Sequence, residues 1–151
     1  MKTARRRARE FAVQGIYEWQ LNNGLSAASI EKHLRENEWF AKADEALFRT
    51  LLYGVLNEFT MLDERLAAYY ERPAEEVSPV ERSVLRMAAL ELINLVETPY
   101  PVIINEAIEI TKTFGGTDGH KFVNGVLDKL AEQVRGDEVA AARSSRRTRS
   151  N

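Results

Sequence analysis

The sequence predicts an all-α fold of six or seven helices. Apolar residues recur at three- and four-residue steps through most of the 151 residues, and no stretch alternates between apolar and polar residues as a half-buried strand does. Asn, Gly and Pro separate the periodic segments at the places where helices are expected to end. A chain of this length forms one compact unit or two small subdomains that share a core.

The first predicted helix follows the N-terminus and ends at "LNNGLS", residues 21–26. Its apolar stripe consists of Ala8, Phe11, Ala12, Gly15, Ile16 and Trp19. At roughly 100° per residue, the opposite side of the helix, which we expect to face solvent, contains Arg6, Arg9, Val13 and Tyr17. Arginines beside a tyrosine suit single-stranded nucleic acid, because guanidinium groups contact phosphates and aromatic rings stack on bases.

Start signals locate the next two helices. Ser26 is the predicted N-cap of a short helix, and Asp44 is the predicted N-cap of a long one with a wide apolar stripe. The long helix can break near residues 61–63. It ends at Arg72, because the residue before Pro73 is pushed out of helical geometry.

The stretch "ERPAEEVSP", residues 71–79, is the candidate boundary between subdomains. It runs into "SPVE", in which Ser78 is the N-cap, Pro79 takes the first helical position and Glu81 completes a capping box. A further helix is predicted over residues 102–114. After "FGGTDG", the last predicted helix has Thr117 or Asp118 as its N-cap and buries Val123, Val126, Leu127, Leu130 and Val134.

Basic residues concentrate at the two ends of the chain. Of 21 Lys and Arg residues, five lie in residues 1–9 and four in residues 143–149, and neither segment contains an acidic residue. Residues 10–142 therefore carry twelve basic against 23 acidic side chains, a net charge of −11. Basic ends on an acidic body favour local contact with a polyanion, but solubilising charge alone would produce the same composition. The C-terminal run is low in complexity, and we expect it to be disordered.

Composition and spacing exclude several classes of function. Without cysteine there is no disulfide and no thiolate site. No run approaches the roughly 18 apolar residues of a membrane span, and no apolar segment of a secretory signal follows the basic N-terminus. We therefore expect a soluble cytoplasmic protein without membrane contact.

No constellation for catalysis or metal binding is present in the sequence. His33 and His120 lack metal-ligand spacing, and "GGTDGHK", residues 115–121, lacks the spacing of a nucleotide-binding loop. The chain is therefore predicted not to be an enzyme and to use no cofactor. Within the last helix, Lys121 lies opposite the buried stripe and Phe122 at its edge, where the ring is either partial core or a stacking platform for a base.

Three stretches resemble the NusB family of bacterial transcription antitermination factors. They are "RRRAREFAVQGIYEWQL", "PVERSVLRMAALEL" and "PYPVIINEAIEITKTFGGTDGHKFVNGVLDKLA", and the resemblance spans roughly residues 2–132. It implies two small packed helical subdomains, which we place at residues 1–76 and 77–135. The basic tail at 136–151 departs from the family pattern, and its composition predicts disorder. The resemblance further implies an RNA-binding adapter without catalytic activity. Such an adapter binds the boxA element of nascent ribosomal RNA with NusE, a ribosomal small-subunit protein, and joins RNA polymerase with NusA and NusG to suppress premature termination.

The resemblance also implies positions for the binding residues. The RNA-binding residues map to Lys2, Arg5, Arg6, Arg7, Arg9, Asp118, Lys121, Phe122 and Asn124. Tyr17 joins this set because of its predicted position on the same side of the helix as Arg6 and Arg9. The NusE-binding surface maps to the start of the helix that carries Glu81. The family offers no role for the tail after about Gly136, so an auxiliary RNA contact and disorder both remain open.

One other interpretation fits the sequence, and a second does not. A helical protein-interaction scaffold would use the basic end to contact an acidic protein and would have no specific RNA target. NusB-like domains also occur fused to ribosomal RNA methyltransferases, but this chain has no strand-rich half and no Gly-rich cofactor turn for such chemistry. Oligomeric state, monomer or homodimer, stays open, and a homodimer could hide the RNA surface.

Overall fold

Helices make up nearly all of the described structure. The computed structural model describes residues 2–22, 24–115 and 118–150, with side chains up to residue 147. These residues form two short 3-10 segments, no strand and seven α-helices: α1 (Ala4–Leu21), α2 (Ala27–Leu34), α3 (Glu45–Ala67), α4 (Pro79–Asn94), α5 (Tyr100–Phe114), α6 (Gly119–Val134) and α7 (Gly136–Ser150). The predicted all-α class is confirmed.

The predicted N-caps of three helices are confirmed. Each cap side chain accepts a hydrogen bond from the backbone N–H three residues later, at 3.1 Å for Ser26, 3.1 Å for Asp44 and 3.2 Å for Ser78. Asp118 occupies the N-cap position of α6 but makes no capping bond through its side chain. The alternative cap, Thr117, lies outside the described residues.

Helix α4 lies at the centre of the protein. Residues 83–92 are all buried, and α4 packs against α1 and α3 on one side and against α5 and α6 on the other. A Cβ atom at Gly54 of α3 would lie 2.6 Å from Leu90 Cδ2, so glycine is what allows α3 to approach α4 this closely. One hydrophobic core therefore runs through both predicted subdomains, and their division at residues 76–77 stays a prediction.

Helix α3 differs in detail from its predicted outline. It ends at Ala67, five residues before Arg72, and its interrupted turn is at Glu58 (φ −118°, ψ 15°) rather than at residues 61–63. The aromatic ring of Phe59, next to the kink, is 37% exposed and lies edge-on to Trp19, with 4.9 Å between ring centroids. Phe59 therefore lies at the surface, although it belongs to the apolar stripe of the long helix.

The C-terminal segment is helical, so the predicted disorder of the tail is wrong for the described residues. Val139 is 4% exposed, and the carboxylate of Glu138 accepts a hydrogen bond from the Tyr100 N–H at 2.8 Å, which fixes the start of α7 against α5. Just before α7, the buried guanidinium of Arg135 donates to four carbonyl oxygens, those of Glu91, Leu92, Leu95 and Thr98, at 2.7–3.2 Å. The low-complexity composition of the segment does not predict this attachment, because only a few of its residues make the contacts.

Candidate nucleic-acid interface

Arg9 is buried, which corrects the prediction that it shares a solvent face with Arg6 and Tyr17. Its side chain is 2% exposed and forms a bidentate ion pair with Glu91, with Nη2–Oε1 at 2.9 Å and Nε–Oε2 at 3.0 Å. Val13, predicted to lie on the same outer side, is 3% exposed. Helix α1 contacts both α3 and α4, so its buried face is wider than a single stripe and includes these two residues.

Arg6 is only partly accessible. Its side chain is 26% exposed, and its Nε donates to Glu106 Oε1 at 2.9 Å while a second bond joins Nη2 to Oε2. Arg9 Nη1 also reaches Glu106 Oε1, at 3.3 Å, so one carboxylate holds both arginines. The hydrogen bond from Arg6 is the main cause that lowers the pKa of Glu106 below its ordinary value.

Lys2 and Arg5 form the exposed edge of the basic segment. Lys2 Nζ lies 2.8 Å from Glu10 Oε1, and Arg5 Nη1 lies 3.6 Å from Asp44 Oδ2. Both basic side chains are about half exposed, at 49% and 48%. Surface pairs of this kind contribute little stability, so a phosphate can replace the carboxylate at small cost.

Arg7 contacts an aromatic ring rather than a carboxylate. Its guanidinium carbon lies 4.9 Å from the ring centroid of Trp39, and Lys42 Nζ lies 5.2 Å from the same centroid. Trp39 is 46% exposed. Neither charge nor helical periodicity in the sequence singles out Trp39. The adjacent pair Trp39–Phe40 indicates one buried and one exposed ring, but it does not indicate which of the two is exposed.

The end of α5 adjoins the basic segment of α1. Phe114 is 44% exposed. It lines an open cleft together with Lys2, Arg7 and Trp39, and we call this cleft the Trp39 cleft. A second, smaller pocket beside Phe114 is lined by Tyr17. Because the loop to α6 starts directly after Phe114, the two predicted RNA-binding elements begin on neighbouring parts of the surface.

Asp118 and Lys121 lie together at the start of α6. Their charged atoms are 3.5 Å apart, and both side chains are more than 70% exposed. Glu81 accepts a hydrogen bond from Ser78 Oγ at 2.9 Å, and its carboxylate lies so near the α6 start that a Cβ at Gly119 would be 3.0 Å from Oε2. The predicted NusE-binding residue therefore adjoins the second predicted RNA-binding element.

Phe122 and Asn124 face different neighbours. The Phe122 ring is half-buried against Tyr70, with centroids 5.9 Å apart, and the guanidinium carbon of Arg72 lies 4.1 Å from its centroid. Asn124 instead lines a groove between α5, α6 and α7 that also contains Arg143. Two residues along a helix are separated by roughly 200°, so these side chains cannot share one contact surface.

No metal site is evident in the described part of the chain. No three His, Asp or Glu side chains come together there as ligands. Nor is any helix of the described residues long and apolar enough to cross a bilayer.

Comparison with known proteins identifies the family. The model of the NusB family matches residues 6–132. The transcription antitermination protein NusB of Chromobacterium violaceum is 74% identical over 147 residues, covering 97% of this chain and 99% of that protein. The protein of the same name from Laribacter hongkongensis is 67% identical, covering 99% of this chain and 90% of that protein.

Solved structures agree with this assignment. T. maritima NusB is 32% identical with a TM-score of 0.77, covering 93% of this chain and 99% of that chain. A chain in the crystal structure of antitermination factors NusB and NusE in complex with dsRNA is 24% identical with a TM-score of 0.77, covering 88% and 99%, and shows the shared fold. Since the family match covers α1 through most of α6 and the relatives match along almost their whole length, the chain belongs to the NusB family.

Proposed function

We propose that the chain is a non-catalytic, RNA-binding transcription antitermination factor of the cytoplasm. It binds the boxA element of nascent ribosomal RNA together with NusE, and the complex joins RNA polymerase with NusA and NusG. Family membership and the names of the relatives support this function. A solved NusB assembly that contains NusE and RNA supports the choice of partners.

The accessible cations at the start of α1 are the observation that carries the proposal. Lys2 and Arg5 are exposed and Arg7 is half-buried, and Lys2 and Arg7 line a cleft with the exposed rings of Trp39 and Phe114. Residues 10–142 of the same protein have a net charge of −11. An acidic body repels RNA everywhere except along such a path. Arg9 and, in part, Arg6 hold α1 in place through Glu91 and Glu106 rather than presenting free charge.

The second RNA-binding element and the NusE surface complete the proposed assembly. Lys121 adds a further, exposed cation, and Phe122 with the overlying Arg72 offers a planar surface to a base. NusE binds around Glu81 at the start of α4. The protein acts as a monomer or as a homodimer, and a homodimer that covered α1 would switch RNA binding off.

A fluorescence-anisotropy titration tests this function. A labelled boxA-type single-stranded RNA and a scrambled RNA are titrated with the protein, with and without NusE, at two salt concentrations. We expect preference for the boxA-type RNA that strengthens when NusE is added. If Lys2, Arg5, Arg7 and Lys121 neutralise four phosphates, log affinity should fall with log salt at a slope of about −3.

A matched pair of variants tests whether RNA contacts the basic segment of α1. Arg7→Ala should weaken binding and reduce the salt slope by nearly one, whereas Arg65→Ala, which removes an exposed arginine from α3, should change neither. Equal and weak binding to both RNAs, unaffected by NusE, would reject antitermination and favour the helical protein-interaction scaffold.

A further inference from the structure

We propose that Trp39 is a stacking platform for an unpaired base of single-stranded RNA, with Arg7 and Lys42 holding the adjacent phosphates. This inference rests on the proposed RNA-binding function and adds a residue outside the contacts derived from the family. It depends on three independent features of the structure, namely the exposure of the indole, the rigidity of its support and the charge around it.

The exposure of Trp39 contrasts with the burial of its neighbour. The indole is 46% exposed, whereas Phe40 is 2% exposed and packs edge-on to Phe11 and Phe48, with centroids 5.2 and 5.0 Å apart. Large aromatic side chains are normally well covered, because leaving them in water forfeits their burial energy. Arg7 and Lys42 lie over part of the ring, at 4.9 and 5.2 Å from its centroid, and their flexible side chains can move aside when a base stacks there.

The segment that carries Trp39 is firmly attached. It is a 3-10 turn over Glu38–Lys42, and the Asn37 side chain accepts a hydrogen bond from the Trp39 N–H at 2.8 Å. The buried Phe40 anchors the middle of the turn. Beyond it, the Asp44 N–H donates to the Ala4 carbonyl at 3.0 Å, which joins the end of this segment to the first residue of α1. The indole is therefore held at a fixed position beside the basic segment.

Two cations without a carboxylate partner lie beside the indole, and the one acidic residue that lines the Trp39 cleft, Glu10, is paired with Lys2. Neither Arg7 nor Lys42 forms an ion pair with a carboxylate among the described residues, whereas Lys2, Arg5, Arg6 and Arg9 each have one. Both free cations lie within cation–π distance of Trp39. Phe114, which also lines the Trp39 cleft, supplies a second exposed ring.

This combination fits single-stranded RNA in particular. Unstacked bases present flat aromatic faces with a phosphate on either side, and proteins bind them with an aromatic ring flanked by basic side chains. Duplex RNA keeps its bases stacked inside the helix, so the indole could not reach them. The cleft is also continuous with Lys2 of the proposed phosphate path, so one strand can contact both.

The test compares Trp39→Ala, Trp39→Phe and wild type for binding of a labelled boxA-type single-stranded RNA. Because stacking of one base on an aromatic ring is worth about 1–3 kcal/mol, Trp39→Ala should weaken binding by about 5- to 150-fold. Trp39→Phe should recover most of the affinity. Val96→Ala, which shortens an exposed apolar side chain between α4 and α5, is the control and should bind as wild type does.

Tryptophan fluorescence gives a second readout. The chain contains two tryptophans, so Trp39 is the only one in a Trp19→Phe variant. RNA stacked on the indole should quench this emission. Circular dichroism and thermal melting of each variant show whether the fold is retained, which is expected because the Trp39 indole is largely outside the core.

The outcomes separate this inference from the function on which it rests. If wild type prefers the boxA-type RNA but Trp39→Ala binds equally well and no quenching occurs, the platform is rejected and the function stands. If wild type shows no preference and no quenching, both are rejected. If Trp39→Ala weakens binding of NusE but not of RNA, the indole belongs to a protein interface and the platform is again rejected.

Discussion

Arg9 in α1 and Glu91 in α4 form a buried bidentate ion pair, with side chains 2% and 1% exposed. The pair joins the helix with the proposed RNA-binding residues to the central helix of the core. A residue that the amino-acid pattern assigns to an RNA contact thus has a structural role. Variants at this position test folding, and variants at Arg5 or Arg7 test binding.

Breaking this pair should destabilise the protein strongly. In Arg9→Ala the Glu91 carboxylate stays buried without its partner, and such a loss costs about 3–5 kcal/mol. The measurement is the free energy of unfolding from urea denaturation. Arg5→Ala, which removes a half-exposed arginine four residues earlier, should cost less than about 1 kcal/mol. Equal urea midpoints for the two variants would contradict the structural role of Arg9.

The carboxylate of Glu31 should make stability dependent on pH in the acid range. Hydrogen bonds from Arg49, followed by those from Arg35 and Tyr53, lower the pKa of Glu31 from 4.5 to about 2. Because the folded-state pKa is the lower one, the stabilisation is complete above about pH 4.5 and is lost as the pH falls toward 2.

Glu31→Gln should therefore lower the free energy of unfolding at pH 7 by about 1–3 kcal/mol, since Arg49 is half exposed and the gain is partly screened. Its stability should also fall less than that of wild type between pH 4.5 and 2. Glu36→Gln, at a carboxylate that is 76% exposed, is the matched control. Parallel stability curves for wild type and Glu31→Gln would show that this carboxylate titrates normally.

Phe122→Ala should harm sequence preference for RNA more than thermal stability. The ring is only half-buried, and it supports the Arg72 guanidinium at 4.1 Å as part of the surface offered to a base. The measurements are the ratio of affinities for boxA-type and scrambled RNA and the melting temperature. Phe122→Leu keeps the apolar volume without the aromatic ring and should retain stability but not preference. If Phe122→Ala lowered the melting temperature as much as a core substitution does and left the preference for boxA-type RNA unchanged, Phe122 would have a packing role only.

Val139→Asp should detach α7 and leave the rest of the fold intact. A buried carboxylate in place of a side chain that is 4% exposed removes the apolar anchor of this helix. Amide hydrogen exchange should then become fast over residues 136–147 and stay slow in α4. Ala140→Asp places the same charge on the exposed side of α7 and should leave exchange unchanged. Protected α7 amides in Val139→Asp would mean that other contacts hold the helix.

Local signals in the sequence predicted much of the fold correctly. The caps at Ser26, Asp44 and Ser78 each depend on a side chain and a backbone N–H three residues apart, so the interaction is contained in the pattern itself. The same is true of the apolar stripe of α1 from Ala8 to Trp19, all of whose predicted members are buried apart from the half-buried Trp19.

Long-range contacts explain the errors. The burial of Arg9 depends on a carboxylate 82 residues away, and helical periodicity contains no information about that distance. The exposure of Trp39 depends on which of two adjacent rings enters the space between Phe11 and Phe48. Helix α7 depends on Val139 and on the neighbouring Glu138 contact with α5, whereas the composition of the whole tail indicated disorder.

The region that matches the family ends before Arg135, although the contacts of Arg135 stabilise the fold. The match ends at residue 132, yet the Arg135 guanidinium is the hydrogen-bond donor for four carbonyls at and beyond the C-terminal end of α4. A fragment that stopped at residue 132 would leave these oxygens in a closed environment without that donor, and would remove a positive charge from the negative end of the helix dipole. We therefore expect a fragment that ends at residue 132 to be less stable than one that extends through Arg135.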